Sequence, residues 1–338
     1  MAMYLKIVKV GFLLCCFAIS VSFAQSKKDK RKSAFDSNYV SSFRERFHLA
    51  VFLATRGSNV TLYNMANKNE SVQYSPNNFL NIGLGVNYKY VMLETSFKFP
   101  FLNTTDPRKG KSSVANIRVN FIRHKYWLKG IVQNVSGFHL TNPQIIDPDW
   151  FKYNTNYPLR PDISQNLFYL TGNYVFNHSK FSYRSTINAC EHQIRSAGSF
   201  VVGFTISNYG ARGKNSLLPE SLKGRYTKDS DILRSRISHY GVNVGYLHTF
   251  AIKKKIFINL GSIGSVGVKN TNTTFAYRPE SFSETGFGFI FDNQMAIGYN
   301  GDRNFVSINL NSLTLSDNLK RQIEFDYQFL RLIYSRRM

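Results

Sequence analysis

The sequence is short of cysteine, of acid and of long apolar runs, and each shortage removes a class of protein. Only three of its 338 residues are cysteine. Two of them, Cys15 and Cys16, belong to an N-terminal leader, so Cys190 has no partner within the chain and a disulfide scaffold is excluded. No apolar run approaches the roughly 20 residues that a spanning helix requires, and no stretch keeps a helical period, which excludes a helical membrane protein. Asp and Glu number 20 against 43 Lys and Arg, a formal charge of +23. Such an excess fits anionic headgroups or a polyanion, and by itself does not choose between them. The 43% of hydrophobic residues excludes disorder. What the chain has in quantity is Phe (29), Tyr (20) and Gly (22), the residues of strands and tight turns.

The leader reads as a signal peptide. Lys6 and Lys9 form a basic start, Val10 to Ile19 is an apolar run of ten residues, and Ser22-Phe23-Ala24 offers the small residues that a signal peptidase reads. Cleavage is expected after Ala24. Leu13 and Leu14 stand where lipid attachment at Cys15 or Cys16 needs small residues, so acylation is not expected. The expected organisation is a signal peptide over 1–24, a basic N-terminal tail over 25–45, and a single β-barrel domain over 46–338. Within the tail, Lys27-Lys28-Asp29-Lys30-Arg31-Lys32 is most simply solvated. Loss of the leader removes two lysines and leaves +21 on 314 residues.

Downstream, the period is two. Leu80, Ile82, Leu84, Val86 and Tyr88 alternate with Asn81, Gly83, Gly85 and Asn87, which is the signature of a half-polar strand. The template recurs from Val91 to Phe99, Ala115 to Phe121, Phe200 to Ile206, Tyr240 to Tyr246, Val306 to Leu310 and Ile323 to Phe329. Weaker copies at Phe47 to Leu53, Trp127 to Val135, Phe168 to Phe176, Phe181 to Ala189, Ile256 to Leu260 and Met295 to Tyr299 raise the count to thirteen. Several reach the 9 to 11 residues of a tilted spanning strand. One face of them carries Glu94, Lys98, Arg118, Glu324 and Asp326, which are expected to line a wet lumen.

The connections point the same way. Short turns are expected at Arg123 to Lys125, Asn177 to Lys180, Lys253 to Lys255 and Asn300 to Arg303, and long polar loops near 139–164, 209–235 and 269–283. Outer-membrane barrels show this asymmetry between their two ends. Counted from the N-terminus, the turn at Asn177 falls at the short-turn end; counted back from the C-terminus it falls at the other. An odd number of strands also conflicts with the even number of bacterial single-chain barrels. Between about 180 and 235 either two candidates are one strand, giving twelve, or a further strand is hidden, giving fourteen, and the expected fold is an all-β antiparallel transmembrane barrel of about 12 strands, with 14 as the alternative.

Three stretches resemble a known family. Phe181-Ser182-Tyr183-Arg184, the run Gln193-Ile194-Arg195-Ser196-Ala197-Gly198-Ser199-Phe200, and Tyr74-Ser75-Pro76-Asn77 leading into Gly83-Leu84-Gly85-Val86 resemble the family catalogued as domain of unknown function 4421. Its members look like exported outer-membrane β-barrels of diderm bacteria. The resemblance runs from about Phe47 to the end, with Gln193 to Ser199 its most specific part, and it implies export and a barrel but no activity, catalytic residue or ligand. Met338 stands where the barrel assembly machinery commonly reads a terminal aromatic, so Tyr334 and the strand from Phe325 are expected to serve instead.

The motifs of chemistry are missing. There is no His-Glu-x-x-His, paired Cys-x-x-Cys, Walker loop or Gly-x-Ser-x-Gly. Gly261, Gly264 and Gly267 lie in a strand-like run with no helix after it, so close packing is expected rather than phosphate binding. Cys190, Glu191 and His192 are neighbours that an extended chain points to opposite faces, which argues against a metal site. Asn134, Ser136 and His139 are the nearest approach to a hydrolase triad, and their spacing sets His139 on the other face. His239 and His248 also fall on opposite faces of their strand. Ser182, Arg184, Thr186 and Asn188 read as lumen wall, with Arg184 and Arg195 available to pair with Glu191 or Glu94. Trp127, Tyr88, Tyr90 and Tyr246 read as a headgroup girdle rather than as platforms for nucleic-acid bases.

The leading expectation is an outer-membrane barrel with a structural, narrow-pore or surface-binding role and no catalysis. No cofactor, metal or catalytic residue is expected. The expected contacts are lipid and lipopolysaccharide headgroups and, during biogenesis, the barrel assembly machinery. The alternatives are a barrel-embedded lipid or lipopolysaccharide hydrolase, and a soluble exported barrel that binds a polyanion or an apolar ligand. The last is separated from the others by which face, apolar or polar, points out.

Overall fold

The computed structural model describes residues 35–338 apart from 65, 68, 78–79, 99–105, 279–280 and 317–322. The expected signal peptide and the first part of the expected tail lie outside the described residues. In chain order the strands are β1 (Val40–Ser42), β2 (His48–Tyr63), β3 (Ser71–Ser75), β4 (Asn81–Tyr88), β5 (Val91–Lys98), β6 (Ser113–Ile122), β7 (Tyr126–Leu140), β8 (Leu159–Val175), β9 (Glu191–Gln193), β10 (Ala197–Arg212), β11 (Ile232–Ile252), β12 (Ile256–Phe275), β13 (Ser281–Asn300), β14 (Asn304–Ser316) and β15 (Ile323–Arg337).

Twelve of these close a ring. Each of β2, β4, β5, β6, β7, β8 and β10 to β15 pairs antiparallel with its neighbours, and β15 returns to β2 in register from Ile323 opposite Leu62 to Arg337 opposite His48. Closure leaves no free ladder, which is what lets strands enter hydrocarbon. The short strands β4 to β6 leave a gap at one rim, and β3 fills it by pairing with both β2 and β7. Gly137 kinks β7 there: its φ of +79° falls where glycine alone is at ease, and a Cβ would lie 2.2 Å from the Lys111 carbonyl oxygen. The register of β7 on β8 shifts at this point.

The thirteenth candidate strand does not exist. Residues Phe181 to Ala189 leave the wall, form a 3-10 turn over Tyr183–Thr186, and run inside the barrel. With that segment removed, the connections at 89–90, 123–125, 176–196, 253–255 and 301–303 all fall at the end that holds both described termini of the sheet, and the two counts of the Asn177 turn agree. The loops at the other end are shorter than expected, because β7, β8, β10, β11, β12 and β13 extend into the ranges read as loop.

Face by face, the middle of the wall is inverted relative to a water-soluble protein. Leu84 (51% exposed), Val244 (65%) and Ile308 (48%) point out, while Asn81, Arg118, Asn243 and Asn309 are buried inside. A continuous apolar belt of this kind far exceeds the few hundred Å² that soluble monomers expose. Tyr88, Tyr174, Tyr246, Tyr299 and Tyr334 face outward near the terminal end of their strands, as a girdle does. Trp127, expected in that girdle, is instead inside at 1% exposure.

Toward the loop end the faces exchange roles. Phe325, Tyr327 and Phe329 point in and are buried, while Glu324 and Asp326, expected in the lumen, take the outer face. Arg212, Arg234 and Arg236 likewise stand outside as Ala211, Ile232 and Ile237 go in. Leu217, Leu218 and Leu222 of the β10–β11 loop fold over this apolar interior. The wall thus crosses the hydrocarbon and continues beyond it, where water outside calls for the opposite arrangement.

A plugged and charged lumen as the candidate functional site

The segment between β8 and β10 is the feature that sets what this barrel can do. Ser182 caps the 3-10 turn by accepting from the Ser185 backbone N–H at 3.1 Å, and its own hydroxyl donates to Glu191 at 2.5 Å. β9 then pairs with β1, Val40 opposite Gln193 and Ser42 opposite Glu191. Part of the expected basic tail is therefore not a tail but a strand of the plug. From Phe181 to Gln193 every residue except Ile187 is buried.

Irregular backbone packed inside a barrel still needs partners for its polar groups, and here the wall supplies them. Asn300 Nδ2 donates to the carbonyls of Ser185 (3.0 Å) and Glu191 (2.9 Å), and Asn309 Nδ2 to that of Thr186 (2.9 Å). Arg337 Nε donates to the Ala189 carbonyl at 2.6 Å, and Arg331 Nη2 to that of Ile187 at 3.4 Å. In the reverse sense, Arg184 of the plug donates to the carbonyl of Lys89 in the β4–β5 turn. Trp127 stacks on Tyr183, with centroids 4.5 Å apart and planes 12° from parallel.

Above the plug lies a belt of buried charge. Glu94 accepts from Arg331 at 2.5 Å and stands 4.0 Å from Arg118. Lys129 pairs with Asp292, which also accepts from Tyr169 at 3.2 Å, and Arg118 donates to Tyr327 at 3.3 Å. Between this belt and the plug a cavity of about 20 Å³ remains, room for a water or two.

Glu94 and Arg118 line the lumen as expected, but their surroundings differ from those the sequence suggests. Ser182, Arg184, Thr186 and Asn188 are inside but on the plug, not the wall. The partners of Glu94 are Arg331 and Arg118, whereas Arg184 serves a backbone carbonyl and Arg195 is exposed. Arg331, which holds both Glu94 and the Ile187 carbonyl, is not legible in the sequence because its strand also carries outward apolar residues and the change of face along it is invisible in a two-residue period. The conflict in turn parity was the signal for the plug.

No hydrolase site assembles from the candidates. Asn134 and Ser136 face outward, and His139, past the kink at Gly137, is buried against Tyr157 with centroids 5.2 Å apart. Cys190, Glu191 and His192 do not converge, and among the described residues no group of three metal-ligating side chains does. His239 is inside, held by Ser265 at 3.0 Å.

Ring closure, outward apolar belt and polar interior together define a transmembrane β-barrel with an internal plug. The chain belongs to the family described as Domain of unknown function (DUF4421), which matches residues 34–333. No curated protein matches it. Among solved structures it is similar to the β domain of the Bordetella autotransporter BrkA (9% identity, 86% of this chain and 99% of that one, TM-score 0.36). It is also similar to an outer membrane channel from Pseudomonas putida F1 (9%, 90% and 99%, 0.35) and to the P. putida toluene transporter TodX (6%, 87% and 90%, 0.28). The fold assignment rests on the pairings and the two faces rather than on these likenesses.

Proposed function

We propose that this protein is an outer-membrane barrel of a diderm bacterium that is closed at rest and serves a structural or surface-binding role without catalysis. The observation that carries the reading is the plug: thirteen consecutive residues, Phe181 to Gln193, run inside the barrel, all buried but Ile187, and between them and the charged wall lies a cavity of about 20 Å³. The end with short turns and both described termini faces the periplasm, and the protruding end with its loops faces outside. The periplasmic rim carries Arg44, Arg46, Lys89, Lys125, Lys253 and Lys254 against Asp36, Glu45 and Asp302, a charge balance suited to anionic headgroups.

The test is planar-bilayer conductance of the refolded protein. Intact protein is expected to carry no steady current, and replacement of 181–194 by a Gly-Ser linker is expected to open a stable channel. Steady conductance in the intact protein would remove the closed reading. Cell fractionation with a heat-modifiability gel tests the address, since a closed barrel migrates differently before and after boiling. A gated narrow pore is the second reading, favoured because β9 makes no ladder with the wall, only with β1. It predicts brief openings under mild urea that the closed scaffold does not show.

A further inference from the structure

The cavity between plug and wall is surrounded by more positive charge than its acids balance. Arg118, Arg331 and Lys129 line it, and Arg56 shares an aromatic ring with the first two; all four are buried. The acids among them are Glu94 and Asp292, both already engaged, the first by Arg331 and Arg118 and the second by Lys129. Four cations therefore meet two carboxylates. Three of the guanidiniums crowd one ring: Arg118, Arg56 and Arg331 lie 4.1, 4.8 and 5.7 Å from the centroid of Phe329. Unpaired buried charge is among the costliest things a protein interior can hold.

The donors are in surplus as well as the charge. The Nε atoms of Arg56, Arg118 and Arg331 are buried and meet no acceptor in the protein, against one buried acceptor among them without a hydrogen bond, Glu94 Oε2, 4.0 Å from Arg118 Nη1. Groups so placed are satisfied in native proteins by an ordered water or an ion. Water supplies an acceptor but no negative charge, so it answers half of the problem. The cavity of about 20 Å³ suits a small guest, on the scale of one or two waters.

We propose that this cavity binds one small inorganic anion of halide size, chloride foremost, which neutralises part of the surplus and locks the plug against the wall. Tyr183 and Ile187 of the plug form one side of the cavity, so the proposal rests on the closed-lumen reading. Arg118 and Arg331 hold the anion, and Glu94 competes with it for the same guanidiniums.

Chlorine NMR line width of a chloride solution, measured with the refolded full barrel in detergent at constant ionic strength, tests this. Protein-dependent broadening is expected, abolished by bromide and untouched by sulfate or gluconate. Arg118→Gln is expected to weaken chloride by on the order of tenfold, the loss of a charged hydrogen bond. Glu94→Gln removes the competitor and is expected to bind chloride several-fold more tightly. Opposite signs in the two variants separate a site from a general salt effect. If Arg118→Gln does not fold, the wild-type competition and Glu94→Gln still decide. No protein-dependent broadening, displacement by sulfate as readily as by bromide, or weakening in Glu94→Gln overturns the proposal. Steady current through the intact barrel would instead overturn the closed lumen, whereas a silent barrel with no halide selectivity overturns this inference alone.

Discussion

A side chain on this wall is judged by its face and its depth together. Val244 is 65% exposed in the apolar belt, and Asn243, one position before it, is fully buried and hydrogen-bonded to Thr171, Asn173 and Phe204. Val244→Arg is expected to cost about 2–4 kcal/mol, the depth-dependent penalty of a cation facing mid-bilayer, whereas near the interface it is about 0–1. Asp326→Arg, on the same outer surface but beyond the belt, is expected to change little. Urea titration of folding into lipid vesicles reads both, and equal losses would mean that the outer surface meets a single solvent. Close strand approach is the other residue-scale constraint. A Cβ on Gly203 would lie 1.9 Å from the Gly172 carbonyl oxygen. Gly203→Val is therefore expected to disturb the β8–β10 pairing, and the heat-modifiable band on a gel to weaken.

At the scale of elements, the period-two pattern made the wall legible and hid the plug. Phe181 to Ala189 alternates as a strand does, but the alternation serves a turn packed on both sides, with Tyr183 against Trp127 and Arg184 reaching Lys89. Periodicity says that two faces differ and says nothing of what each faces. Glu324 and Asp326 were misplaced for the same reason. The plug end is also expected to respond to pH. His124 and His178 sit in adjacent turns with ring centroids 5.5 Å apart, and His192 lies on β9 against the Lys254 carbonyl. Burial lowers the pKa of all three; His178 adds to the effect at His124, Lys125 at His178 and Arg337 at His192. A lowered imidazole means that the unfolded chain binds more protons than the folded one below its ordinary value of about 6.5, so stability is whole above that pH and erodes as pH falls through it. Acidification from about pH 7.5 to 5.5 is expected to lower the urea midpoint and to change the emission of Trp127, which reports its stack on Tyr183. A flat profile across that range would show that these turns do not couple to plug seating.

For the whole molecule, strand number and the direction of the apolar face followed from chain chemistry, because hydrocarbon and parity leave few solutions. The closed interior did not, since which segment occupies a lumen depends on contacts far apart in sequence, such as Arg331 with Glu94. Those contacts carry a further consequence. The last strand both closes the ring against β2 and, through Arg331 and Arg337, grips Ile187 and Ala189. The middle of the chain folds in from the rim that carries the short turns, and its grip on the wall is complete only once the last strand is in place. The stopper therefore seats firmly only after the seam is sealed, and a fault in the last strand loosens both.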